Sequence, residues 1–246
     1  MGYRAIWTSW LGLMIHWLCV NAAIAIPPDS SLQQEAAARV PLGELPEGLR
    51  ARVRQVIERP TLFSHGPAEA FTGKPALYSW LLDHPDRGVL AWRRLGATCT
   101  DITECSTGRF VWKDGQGSEI NWQTIHNAPS LRIWYAEGKM RPGLLLPTVP
   151  VKAVLLLRHG NRPDGPTRTL IFHQADVFLQ TDSKTAALMA QILGPSAPYL
   201  AEQGLGQVEM FFSALVWYLG QHPDRVARLL ATTPGKSEPA IDWETR

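Results

Sequence analysis

Between Pro46 and Arg59 apolar side chains recur at helical spacing, at Leu49, Val53, Val56 and Ile57, with Arg50, Arg52 and Arg54 on the other faces. This period predicts one short amphipathic helix, closed by Arg59-Pro60. Thr61 to Phe71 reads as a strand interrupted by Gly66-Pro67. Lys74 to Leu95 is helical again, with Leu77, Leu81, Leu82, Val89, Trp92 and Leu95 as its apolar face. His84-Pro85-Asp86 divides it in two, because Pro85 suits the first turn of a helix, where its missing N–H would have no partner. Six strand-like runs follow with no helix between them: Thr98–Thr103, Arg109–Lys113, Ser118–Ile125, Leu131–Glu137, Val151–His159 and Arg168–Gln180. Asp114-Gly115 is a hairpin signal, and Asn127-Ala128-Pro129 and Asn161 to Pro166 are turn-rich connectors. After Asp182 the period returns to 3.6 residues. Ser183 starts a helix to Leu193, Gly194-Pro195 breaks it, and a longer helix runs from Pro198 to Leu219. Its Leu205, Val208, Met210, Phe211, Phe212, Leu215, Val216 and Trp217 need a sheet or a cavity to cover them. His222-Pro223 ends it.

The ends of the chain follow other rules. Arg4, an apolar run from Ala5 to Val20 and small residues at Ala23-Ile24-Ala25 have the three-part plan of a secretory signal, with cleavage before Ile26. An uncleaved membrane anchor is the alternative, since the stretch approaches the roughly 20 residues that span a bilayer. Residues 26–45 contain three prolines and an alanine run and read as a linker. The expected organisation is a leader over 1–25, this linker, one domain over 46–230 and a loose tail over 231–246. Export predicts a periplasmic or secreted protein. In an oxidising compartment Cys99 and Cys105 invite a disulfide, but a straight segment of that length separates them by roughly 20 Å, so the bridge requires a turn. Two separate thiols are the other reading.

A strand, two short helices, a run of antiparallel strands and a long C-terminal helix is the order of the helix-grip fold. The chain resembles the START and Bet v 1-like superfamily over residues 60–221. The local likeness is strongest in Leu77-Tyr78-Ser79-Trp80-Leu81-Leu82-Asp83-His84-Pro85, followed by Trp92. The extra helix at Ser183–Leu193 departs from that pattern. The resemblance implies an α+β fold, with a curled antiparallel sheet of about six or seven strands around the C-terminal helix, and a cavity for an apolar ligand. Fold alone does not choose a function.

Strand alternation supplies candidates for a site. One face is expected to carry Phe110 and Trp112, then Ile120, Trp122, Thr124 and His126, then Leu131, Ile133 and Tyr135, with His173 beside Ile171, Ala175 and Val177. With Phe211, Phe212 and Leu215 from the last helix, the expected ligand contacts are Trp112, Trp122, Thr124, His126, Tyr135, His173, Phe211, Phe212 and Leu215. Few polar groups in an apolar lining is how small-molecule sites are built; a solid core under the helix has the same pattern. The apolar connector Met140 to Pro150 reads as a lid on the core or a lip at a cavity mouth that touches a membrane.

Composition narrows the choice. Of 246 residues 45% are hydrophobic and 19% charged, enough for a core. The 24 Lys and Arg are scattered and nearly balanced by 22 Asp and Glu, which argues against a nucleic-acid partner. Gly204-Leu205-Gly206 lacks the third glycine and preceding strand of a dinucleotide site. No Gly-x-Ser-x-Gly, His-Glu-x-x-His or Cys-x-x-Cys is present, so no metal or cofactor is expected. His-Pro-Asp at 84–86 and 222–224 is helix punctuation rather than a cochaperone loop. The leading expectation is a non-enzymatic carrier or sensor of a hydrophobic small molecule or lipid. An enzyme of cyclase or hydrolase type is the second, with His126 or His173 as general base and Tyr135 as proton donor. A structural interaction protein of the cell envelope is the third.

Overall fold

Strands β1 (Leu62–His65) and β2 (Glu69–Thr72) are two halves of one edge position, both pairing antiparallel with the last strand, β8 (Arg168–Thr181). The break falls at Gly66-Pro67-Ala68, because Pro67 has no N–H to give to a ladder. Gly66 holds the two halves together by donating its N–H to the Ala175 carbonyl at 2.7 Å. The computed structural model describes residues 30–141, 147–182 and 197–231. The leader, the helix expected at Ser183–Leu193, the tail from Thr232 and the middle of the apolar connector lie outside them.

Helices α3 (Pro75–Asp83) and α4 (Pro85–Arg94) come next, divided at His84-Pro85 as expected. Then follow β3 (Ile102–Ser106), β4 (Arg109–Lys113), β5 (Glu119–Ala128), β6 (Leu131–Met140), β7 (Val149–Asp164) and β8, and after them α5 (Ala197–Gln221). The sheet order is β1-β8-β7-β6-β5-β4-β3, with β2 also on β8. This is an α+β helix-grip fold. Helix α5 lies across β1, β2 and β8 and packs on α3 and α4. Between it and the sheet is one core, containing Leu77, Tyr78, Leu81, Leu157, Ile171, Leu215 and Leu219.

Residues 30–45, expected as linker, are folded. They form α1 (Ser30–Ala38) and a single 3-10 turn (Leu42–Glu44), which lead into α2 (Glu47–Glu58). The alanine run makes helix because alanine gives up no side-chain freedom there. Ala36, Val40 and Leu45 join Val53, Val56 and Ile57 over the second face of the sheet, against Ile133, Tyr135, Val154, Leu156 and Phe178.

His222-Pro223 ends α5, and it also starts a helix that periodicity did not predict. In α6 (Pro223–Leu230), Val226, Leu229 and Leu230 are buried. Its carbonyl end is capped from α4: Arg94 Nη1 donates to the carbonyls of Arg228, Leu229 and Ala231 at 2.9, 2.9 and 2.7 Å. Cys99 and Cys105 are separate thiols. Cys105 lies on strand β3 and Cys99 in the connector before it, and the turn that a bridge would require does not lie between them.

Candidate functional site

Directly paired residues on neighbouring strands share a face, so the register sorts the side chains. On the side facing α5, one row runs Ser64, Val177, Leu155, Trp134, Thr124. The next runs Leu179, Ala153, Ala136, Trp122, Phe110. Deeper rows hold Ala175, Leu157 and Arg132, then Glu69, His173 and His159.

These rows differ in burial. Ala175, Leu157, Arg132, His173 and His159 are buried, whereas Val177, Leu155, Trp134, Leu179, Ala153, Ala136 and Trp122 are only half-buried. Helix α5 shows the same gradient. At about 100° per residue, Val208, Phe212, Leu215 and Leu219 form one inward seam. Leu219 and Leu215 are buried, Phe212 is half-buried, and Val208 is 45% exposed. The grip is shut at the C-terminal end of α5 and open at its other end. The opening is one-sided, since a Cβ on Gly206 would lie 3.3 Å from Pro67 and Leu205 is buried beside Gly66.

The expected site residues divide between the two faces. Trp112, Trp122, Thr124, His173, Phe212 and Leu215 reach the inner face. Phe211 turns instead to α4, its ring 5.6 Å from that of Trp92. Trp217, expected to face inward, is 52% exposed. His126 and Tyr135 lie on the outer face. His126 Nδ1 is 3.3 Å from Glu44 in the 3-10 turn. The Tyr135 hydroxyl donates to Glu137 at 2.8 Å, and Arg52 of α2 lies over its ring. Leu131 and Ile133 face the same way. The cause is a β-bulge between Thr124 and His126. From the hairpin turn, Ala128 pairs with Leu131 and His126 with Ile133, but beyond the bulge Thr124 pairs with Trp134. One extra residue reverses the alternation. His126 and Tyr135 are therefore not placed to act as base and donor in the grip.

Apart from His173 and Thr124, the polar groups inside are ones that alternation did not pick out. His173 Nε2 lies 3.3 Å from a Glu69 oxygen. A carboxylate only accepts, so Nε2 carries the proton and Nδ1 accepts the Tyr78 hydroxyl at 2.8 Å. Burial holds His173 below the usual histidine range, and Glu69 partly opposes this. Burial, with Arg132 and His173 nearby, lowers His159 to about 4, so its ring is neutral. Burial and the charges of Glu209 and Glu69 push Tyr78 well above the usual phenol range. Arg132 is held by Asp83 and by Asn127.

Glu209 is the exception to this pairing. It is 2% exposed, and neither carboxylate oxygen has a hydrogen-bond partner of good geometry. Burial raises it to about 8, and Glu69 and Asp176 add to this against a smaller pull from the Ala175 backbone N–H. The protonated, neutral form is therefore favoured up to about that pH. A single acid between Val208 and Met210 in an apolar stretch is the sequence signal that could have found it.

No family model matches the chain, and no curated protein matches its sequence. Among solved structures it is similar to a conserved protein from Geobacillus kaustophilus, at 13% identity over 64% of this chain and 97% of that one, with a TM-score of 0.39. It is also similar to Ara h 8.0201, at 14% identity over 64% and 97%, with a TM-score of 0.34. A third is the di-domain ARO/CYC BexL from the BE-7585A biosynthetic pathway, at 17% identity and a TM-score of 0.35. There the match covers 79% of this chain and 58% of the other.

Proposed function

We propose that this protein is a non-enzymatic carrier or sensor of a hydrophobic small molecule or lipid, held between the sheet and α5. One observation carries the reading: the apolar rows of the inner face stay half-buried where the α5 seam opens at Val208, while Ile133, Tyr135, Val154, Leu156 and Phe178 on the opposite face are buried under the N-terminal helices. An apolar surface of that kind gains about 25 cal/mol for each Å² that a ligand removes from water. The sealed state of the polar groups supports a carrier over an enzyme, because His173 and Tyr78 are already bonded to protein partners. Export through the expected leader would place the carrier outside the cytoplasm, which N-terminal sequencing of the mature protein would test.

Val208→Trp should fill the open end. We expect the affinity for a neutral apolar fluorophore such as diphenylhexatriene to fall at least about tenfold. The melting temperature should stay within about 3 °C, because the site is not close-packed. Titration of the fluorophore into both proteins reads the result. Unchanged affinity in Val208→Trp would remove the pocket from this end of the grip. The same would follow if the fluorophore failed to bind the unaltered protein.

The cyclase or hydrolase reading has one observation of its own, the hydrogen-bonded chain Glu69–His173–Tyr78. It requires His173→Ala to abolish a turnover that the unaltered protein shows.

A further inference from the structure

We propose that the ligand of this pocket is an amphiphile with a primary amine head, which seats on Glu209 and Ser64. The inference rests on the apolar pocket proposed above and names the chemistry of its polar end.

Two side chains at the border of the half-buried rows lack partners. Ser64 stands on β1 opposite Val177, the first residue of the open inner row, and its hydroxyl is buried without a hydrogen bond. Glu209 follows Val208 on α5, and one of its oxygens would lie 3.3 Å from a Cβ on Gly66, two residues along from Ser64. A buried polar atom without a partner costs more than it would in water unless something else satisfies it. Both groups meet that condition where a ligand entering past Val208 would end.

The surrounding charges select the head group. Glu69 on β2 and Asp176 on β8 bear on Glu209 with the same sign as its own ionised form. The other charged groups nearby have ionic or hydrogen-bond partners in the protein: His173 bonds Glu69 and Tyr78, Arg132 is held by Asp83, and Asp176 pairs with both His65 Nδ1, at 2.5 Å, and Arg158, at 3.5 Å, while His159 is neutral. A carboxylate or phosphate head would meet acids. An ammonium meets two acceptors beside the carboxylate of Glu69, and its three N–H donors suit Glu209 and Ser64 together. Binding an ammonium ionises Glu209, so one proton leaves the carboxyl group for solvent as the ion pair forms.

Decylamine, decanol and decanoate share a chain and differ in the head, so competition against diphenylhexatriene separates head from pocket. Decylamine should bind at least about tenfold tighter than decanoate and several-fold tighter than decanol. Its affinity should rise several-fold per unit between about pH 6 and pH 8, as less work is needed to ionise Glu209, while that of decanol stays level. In Glu209→Gln the three should bind within about threefold of one another, and Ser64→Ala should lose part of the same preference. If the fluorophore binds but decanol matches decylamine at every pH, the head-group assignment is wrong and the pocket stands. Short-chain phosphatidylethanolamine binding as tightly as decylamine would also overturn it, because its phosphate would then be tolerated beside the acids. Failure of the fluorophore itself would remove the pocket and this inference with it.

Discussion

Leu215→Ala should destabilise the protein by about 2–5 kcal/mol, and Trp217→Ala, two residues away, by less than about 1 kcal/mol. Leu215 is fully enclosed among Leu77, Leu81 and Leu219, so truncation leaves a cavity that its neighbours cannot fill. Trp217 is the larger side chain, but it points away from the sheet and half of it is already in water. In a protein of this size the first change lowers the melting temperature by on the order of 10 °C. Phe211 and Phe212 are half-buried and should fall between the two. Thermal melts of the four variants rank the faces of α5 directly. A loss at Trp217 equal to that at Leu215 would mean that the helix is rotated from the seam described here.

Glu209→Gln should stabilise the protein, by an amount that depends on pH. Unfolded, the carboxyl titrates near 4.5; in the fold it titrates at about 8. The folded state therefore holds this proton more tightly than the unfolded chain. Stability from this group is complete below about pH 4.5, falls as pH rises towards 8, and is level above it. The amide isostere carries no such penalty. Near neutral pH the gain should be about 2–3 kcal/mol, or a rise in melting temperature on the order of 5–10 °C. Near pH 4.5 the two proteins should melt together. Melting curves across this range test it, and a difference that does not change with pH would mean that Glu209 is ionised throughout.

Local pattern carried most of the architecture. Arg109–Lys113 appears as a strand with those bounds, the first strand breaks at Gly66-Pro67, and the helix pair divides at His84-Pro85. In each case a proline or a regular alternation decides the matter within a few residues. What could not be read from pattern depends on distant partners. The bulge in Thr124-Ile125-His126 has no glycine or proline to announce it, yet it moves Tyr135 and His126 to the outer face. Residues 30–45 have linker composition, and only the apolar backs of β6, β7 and β8 give Ala36, Val40 and Leu45 a surface to bury. Inside the grip, Glu69 and Tyr78 meet His173 across about a hundred residues of chain, a distance at which spacing rules say nothing.

Helices α1 and α2 leave the ribosome before any strand, yet the surface they cover belongs to Ile133, Val154, Leu156 and Phe178, roughly a hundred residues later in the chain. They have nothing to dock on until β6, β7 and β8 have paired. The contacts of this N-terminal layer are long-range, like those of β1 and β2 with β8, and its docking is expected late in folding. A chain shortened to begin at the split strand would bring the same sheet into solution with its back uncovered. Such a broad apolar β surface invites a second copy of itself, and aggregation rather than loss of the grip is the failure to expect from it.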